Sequence, residues 1–178
     1  VARAEAQFAR QSAGREHFAA VRLRVEPRSE GQAASIEFAS ECDSEEIPRS
    51  FWPVVEEAVV GTAGSGPLSG YPMVNLRVVL EGGASHPEQS TDLAFAAASG
   101  QATSRALEEA VPVLLEPIMR FQVQVPEESI GDVLKDLNKR RAEVNEHRHH
   151  GKVHLVEGAV PLAEMFGYAT ELRSMTQG

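Results

Sequence analysis

Apolar and polar residues alternate at period two over Val21-Arg-Leu-Arg-Val25, with Val21, Leu23 and Val25 on one side and two arginines on the other. That alternation predicts a half-buried strand, because successive strand side chains point to opposite faces. From Pro48 to about Val60 the period changes. Phe51, Val54, Val55, Ala58 and Val59 fall at i, i+3, i+4, i+7 and i+8, a helical stripe that leaves Glu56 and Glu57 off it. Pro48 suits the first turn of such a helix. Gly61 to Gly70, dense in Gly and Ser, then reads as a loop. Val74, Leu76, Val78 and Leu80 alternate as a second strong strand, followed by Gly82-Gly83 and a polar stretch. Ser90-Thr91-Asp92 offers an N-cap for an alanine-rich helix to about Ala110, whose Ala94, Ala97, Ala98 and Ala102 permit close approach to a sheet.

Pro112 and Pro117 bracket a joint near Leu115. Beyond it the alternation resumes at Phe121, Val123 and Val125, and Pro126-Glu127-Glu128 opens a helix striped by Ile130, Val133, Leu134 and Leu137. Val153 and Leu155 start another strand, and Leu162, Met165, Phe166 and Ala169 form a last helical stripe. A short strand near Val144 completes the order strand–helix–strand–strand–helix. The fold class is therefore α+β, in two small domains at 1–115 and 116–178.

With 178 residues, 42% of them hydrophobic, the chain is long enough to bury real cores. No apolar run approaches the roughly 20 residues that span a bilayer, and the charged N-terminus does not read as a signal peptide. The first residue is Val1 rather than methionine, which points to a fragment or a processed product. The single cysteine, Cys42, sits between Glu41 and Asp43. It has no disulfide partner, and its acidic neighbours disfavour a reactive thiolate. A net charge of −9 argues against loose attachment to nucleic acid, though not against docking through a few local cations. Arg22 and Arg24 form such a basic ladder, to be met either by RNA or by acids on a neighbouring strand.

Several chemical constellations fail on inspection. The only Gly-Lys, Gly151-Lys152, lacks the upstream glycine and the following Ser or Thr of a phosphate-cradling loop. Ser85, His86 and Asp92 lack the surroundings of a hydrolytic triad. His147-Arg-His149-His150 with His154 matches no closed four-ligand zinc spacing and has no cysteine partner, so it reads as a solvated loop entering a strand. By parity His154 lies on the face opposite Val153 and Leu155. No catalytic residue and no metal site is expected.

Longer strings carry a resemblance. Leu115-Glu-Pro-Ile-Met119, Gly131-Asp-Val-Leu-Lys-Asp-Leu-Asn138 and the stretch from Pro161 through Phe166-Gly-Tyr-Ala-Thr170 to Thr176-Gln-Gly178 resemble the C-terminal domains of elongation factor G. Phe8-Ala-Arg-Gln-Ser12 and Ser65-Gly-Pro-Leu-Ser-Gly-Tyr-Pro72 resemble the preceding domain of that family. The resemblance is collinear over essentially the whole chain. It implies a domain IV similar to the second domain of ribosomal protein S5, then a ferredoxin-like domain V without its last strand, whose sheet would keep an unpaired edge.

The resemblance also implies a role. Domain IV would enter the decoding centre of the small ribosomal subunit and promote tRNA–mRNA translocation. Its RNA-contacting tip would be built from Gln11, Ser12, Ala13, Gly14 and Arg15, together with Ser85 and His86. Large-subunit RNA would be a further partner, the location cytoplasmic and the fragment monomeric. GTP and Mg²⁺ would belong to an N-terminal domain of the parent protein, so this chain would not itself be an enzyme. The sequence departs from the family at Glu16-His17, at Phe18-Ala19-Ala20, at Ala142 after Arg140-Arg141, and at Pro87. His86-Pro87 resembles instead the mitochondrial ribosome-recycling paralogue. A recycling or translocation-defective paralogue is the first alternative, and a ribosome-protection protein a second.

Overall fold

The computed structural model describes residues 1–12, 14–28 and 36–176, with the side chains of Ser12 and His150 also outside that description. The chain divides into two compact units, Val1–Val113 and Leu114–Gly178.

In the first unit, β1 (Ala2–Ser12), β2 (Arg15–Pro27), β3 (Ile36–Ser40) and β4 (Leu76–Ala84) form one sheet in the order β1-β2-β4-β3. β3 runs parallel to β4 and the other pairs are antiparallel. The parallel pair is joined through α1 (Trp52–Gly64), as parallel strands require a long crossover. α2 (Asp92–Glu109) follows β4, with the Thr91 hydroxyl accepting from the Ala94 amide as the expected cap. Val21, Leu23 and Val25 are buried together with Val55, Val59, Ala63, Phe95 and the small face of α2 made by Ala94, Ala98, Ala102 and Ala106. Phe51 stacks on Phe95 with ring centroids 4.5 Å apart.

β1, which no periodicity announces, carries its inward face as Ala2, Ala4 and Ala6. Two expectations shift. α1 continues through Gly61 to Gly64, so the loop begins later: Ala63 extends the buried Val55–Val59 stripe, and packing of the whole stripe carries the helix past two glycines that each cost roughly 1 kcal/mol. β4 runs on through Gly82 and Gly83, where the backbone of β2 approaches closely. A Cβ on Gly83 would lie 2.0 Å from the Ala20 carbonyl oxygen.

The arginine ladder of β2 is matched by acids. Arg24 contacts Glu81 at 2.6 Å, Glu41 at 3.0 Å and Glu26 at 3.4 Å, and Arg22 lies 3.9 Å from Glu46.

In the second unit, β5 (Ile118–Pro126), β6 (Glu143–His150) and β7 (Val153–Pro161) form an antiparallel sheet ordered β5-β7-β6. α3 (Ile130–Lys139) and α4 (Tyr168–Thr176) contribute Val133, Leu137 and Tyr168 to a core with Phe121, Val123, Val125, Val156 and Val160. This is a ferredoxin-like order in which no described strand pairs with the outer edge of β5. Arg140 ties the helices together. It bonds Asp136 at 2.7 Å and Glu171 at 2.9 Å, donates to the Glu164 carbonyl, and lies over the Tyr168 ring at 4.9 Å.

Two corrections apply here. The histidine run is not a loop: His147 to His150 belong to β6 and pair with β7. Nor is the last stripe one helix. A 3₁₀ turn over Leu162–Met165 ends where Phe166 becomes extended, Gly167 then takes a left-handed φ of +76°, and helical period restarts at Tyr168 with Leu172 and Met175 packed on the core. Phe166 is 77% exposed.

Candidate nucleic-acid interface

β1 and β2 make a hairpin whose unbroken register runs from Ala2 opposite Val25 to Ser12 opposite Arg15. Gln11 therefore faces Glu16 at the end of the hairpin. Gly14 has φ +78°, a left-handed conformation that glycine adopts without penalty. Ala13 lies outside the described residues. Gln11, Gly14 and Arg15 are exposed.

The second predicted segment connects β4 to α2 and closes on itself. The His86 amide donates to Ser90 Oγ at 2.8 Å, the Ser90 amide donates to the His86 carbonyl at 3.0 Å, and the Glu88 amide donates to His86 Nδ1 at 3.3 Å. With Nδ1 accepting, the neutral ring carries its proton on Nε2, so the exposed imidazole offers a donor outward. Ser85 is half-buried beside it. No hydrogen bond joins Ser85, His86 and Asp92 among the described residues, and Nδ1 is already occupied; a triad does not form.

The two loops are bound to each other. The Phe18 amide donates to the Gln89 carbonyl at 2.9 Å, and Ser90 Oγ donates to the Phe18 carbonyl at 2.8 Å. The Gln89 side-chain amide donates to Glu16, and His17 Nδ1 lies 3.1 Å from Thr91 Oγ1, the cap of α2. Residues 16–18 and 89–91 thus form a seam that brings Gln11, Gly14 and Arg15 together with Ser85 and His86 at one end of the sheet. Sequence reasoning named the two loops and missed the seam, because its members are ordinary polar turn residues more than seventy positions apart.

Charge distinguishes this end. Most arginines on the body of the unit are matched: Arg3, Arg22, Arg24, Arg28 and Arg77 all pair with glutamates. Arg10 and Arg15, exposed at the hairpin end, pair with no acid among the described residues. Two uncommitted guanidiniums, an outward imidazole and a tight glycine turn suit phosphates and unstacked bases. Cys42 has no part in this chemistry. Burial and then the nearby Glu46 push its thiol up, and Sγ donates to the Asp43 carbonyl at 3.2 Å.

Comparison with known proteins assigns this architecture. The family profile "Elongation factor G, domain IV" matches residues 1–111, and "Elongation factor G C-terminus" matches 113–178. The chain belongs to the elongation factor G family. It is 41% identical over 177 residues to Elongation factor G of Thermotoga petrophila, covering 99% of this chain and 26% of that protein. It is 46% identical over 175 residues to Elongation factor G 2 of Desulfotalea psychrophila, covering 98% and 25%. A crystal structure of a Thermus thermophilus protein superposes with a TM-score of 0.85 at 34% identity, over 99% of this chain and 26% of that one. The chain therefore spans about a quarter of the length of these relatives. Its two α+β units correspond to domain IV and the C-terminal domain of a translation elongation factor. No described helix is long and apolar enough to cross a membrane.

Proposed function

We propose that this chain is the ribosome-docking C-terminal module of a translational GTPase, and that its hairpin end enters the small-subunit decoding centre to promote tRNA–mRNA translocation. The seam between residues 16–18 and 89–91 carries the reading. It makes a rigid end out of two separate loops, and that end presents the unpaired Arg10 and Arg15 together with His86. A rigid tip that offers two uncommitted guanidiniums on an acidic body favours docking at one shaped RNA site over adherence to RNA in general. On this reading the second unit meets large-subunit RNA, GTP and Mg²⁺ are bound in a separate domain of a longer cytoplasmic protein, and this chain holds no catalytic residue of its own.

The test is single-round translocation by the longer protein carrying Arg15→Ala and His86→Ala together. Removing one phosphate fork and one ring contact should slow movement at least about tenfold, the effect of 1.4 kcal/mol on a barrier. Ribosome-stimulated GTP turnover should persist. Unchanged translocation sinks the proposal. Glu16 and Pro87 favour a second reading, in which the longer protein splits ribosomes during recycling. Subunit splitting without translocation by the unmodified protein would decide for it.

A further inference from the structure

The β6–β7 hairpin of the second unit turns at Gly151-Lys152, where Gly151 has φ +69°. Its register sets His149 directly opposite His154, with ring centroids 4.6 Å apart. His147 lies two residues back on the same face of β6, and its Nε2 is 2.7 Å from His154 Nδ1. On the other side of β7, β5 places Val125 opposite His154 and Pro126 opposite Val153. The next residue, Glu127, is fixed at the same end by its amide, which donates to the Lys152 carbonyl at 3.3 Å. Three strand ends thus converge on one spot. His154 does lie on the face opposite Val153 and Leu155, but its own face is the inward one, shared with the buried Val156 and Val160.

One ligand atom each from Glu127, His149 and His154 lies within 4.8 Å of the other two. Nitrogens and oxygens around a tetrahedral zinc sit roughly 3.4 Å apart, given metal–ligand distances near 2.0–2.1 Å. The His149 ring and the Glu127 carboxylate are exposed, and neither is held by a hydrogen bond or ion pair among the described residues. Small rotations of both close the gap. A second observation points the same way. His154 Nε2 is shut off from solvent and has no hydrogen-bond partner. A buried polar atom left unmatched is costly, and a cation on that lone pair would match it. His147 Nε2 would then accept a hydrogen bond from His154 Nδ1 and hold the ring in the tautomer that leaves the Nε2 lone pair available, the usual task of a partner just outside a ligand set.

We propose that Glu127, His149 and His154 form a binding site for a first-row divalent transition ion, best suited to Zn²⁺, with His147 as a positioning residue and water in the remaining position. Two neutral imidazoles and one carboxylate are a borderline-soft set of the kind zinc takes. The site is independent of the RNA-contact reading. By joining the ends of β5, β6 and β7, the ion would stabilise the second unit, since it binds the folded chain and not the unfolded one.

The chain, dialysed against chelator, should be titrated with Co²⁺ by visible absorption and with Zn²⁺ by calorimetry. The expected result is one equivalent bound, d–d bands that Zn²⁺ bleaches, and a raised unfolding temperature. His147→Ala should weaken binding about tenfold, as losses just outside a ligand set do. His149→Ala and Glu127→Gln, both at exposed positions, should weaken it more than that. His86→Ala in the other unit should change nothing. Circular dichroism confirms that each variant is folded. Failure of the unmodified chain to bind one equivalent overturns the proposal. So does binding that survives His149→Ala and Glu127→Gln, or that is lost with His86→Ala.

Discussion

Replacing Ser90 by alanine removes one hydroxyl that serves both tip loops, since Oγ accepts from the His86 amide and donates to the Phe18 carbonyl, each at 2.8 Å. A neutral hydrogen bond contributes about 0.5–1.5 kcal/mol net, and an acceptor left unmatched in a partly buried place costs about 1–3 kcal/mol. His86 is exposed, so water can replace the hydroxyl at its amide, whereas the bond to Phe18 is partly buried. The seam should therefore lose about 1–2 kcal/mol, which corresponds to a roughly 5- to 30-fold rise in its opening equilibrium. Amide hydrogen exchange reads this directly. The Phe18 amide, bonded to Gln89, and the Ser90 amide, bonded to His86, should exchange faster by that factor in Ser90→Ala. The Phe95 amide, which bonds Thr91 inside the start of α2, should not change, and Ser90→Thr should retain most of the protection. Exchange within twofold of the parent at Phe18 and Ser90 would refute the claim that this hydroxyl joins the loops.

Phe95→Ala empties a fully buried site stacked on Phe51 and should cost about 3–5 kcal/mol in urea unfolding of the first unit. Burial, and then the Asp136 carboxylate, raise the Tyr168 phenol above its ordinary value of about 10. Between that value and the raised one the unfolded chain has released the proton and the folded chain keeps it, so stability is unaffected at lower pH and falls as pH rises past about 10. Urea unfolding from pH 8 to 11 should show this fall, with Tyr168→Phe reducing the slope. In a Tyr71→Phe background phenolate absorbance then comes from Tyr168 alone, the other tyrosine of the chain, and should appear above pH 10. Cys42, buried and with its thiol pushed up, should react slowly with a disulfide reagent at pH 8 and quickly once urea is added.

What the sequence made legible follows from where apolar residues repeat. The stripe Ile130, Val133, Leu134, Leu137 lies on the core side of α3, and Thr91 caps α2 as its type and place implied. β1 was harder to read because its inward residues up to Ala6 are alanines, which suit a close-packed helix but give little periodic contrast. β3 is five residues long, and β6 has no buried residue in its described part, so neither offers an alternating pattern. Phe166 misled because an apolar residue at helical spacing still stays outside when the backbone is extended at that residue and reverses at Gly167. The candidate tip was reached through family resemblance. Nothing in Ser90, Gln89 or His17 alone announces that they hold two distant loops together, since strand register and not local propensity brings them into contact.

The central claim concerns where the hairpin end sits, and tethered hydroxyl-radical probing locates it most directly. A single cysteine would be placed at Arg15→Cys or His86→Cys in the longer protein, with Cys42→Ser and all other cysteines removed, and an iron chelate attached. On ribosomes carrying tRNA and mRNA, both tethers should cleave small-subunit RNA at the decoding centre, at overlapping positions because the seam holds the two loops side by side. Cleavage elsewhere, or none while the protein remains bound, would contradict the account.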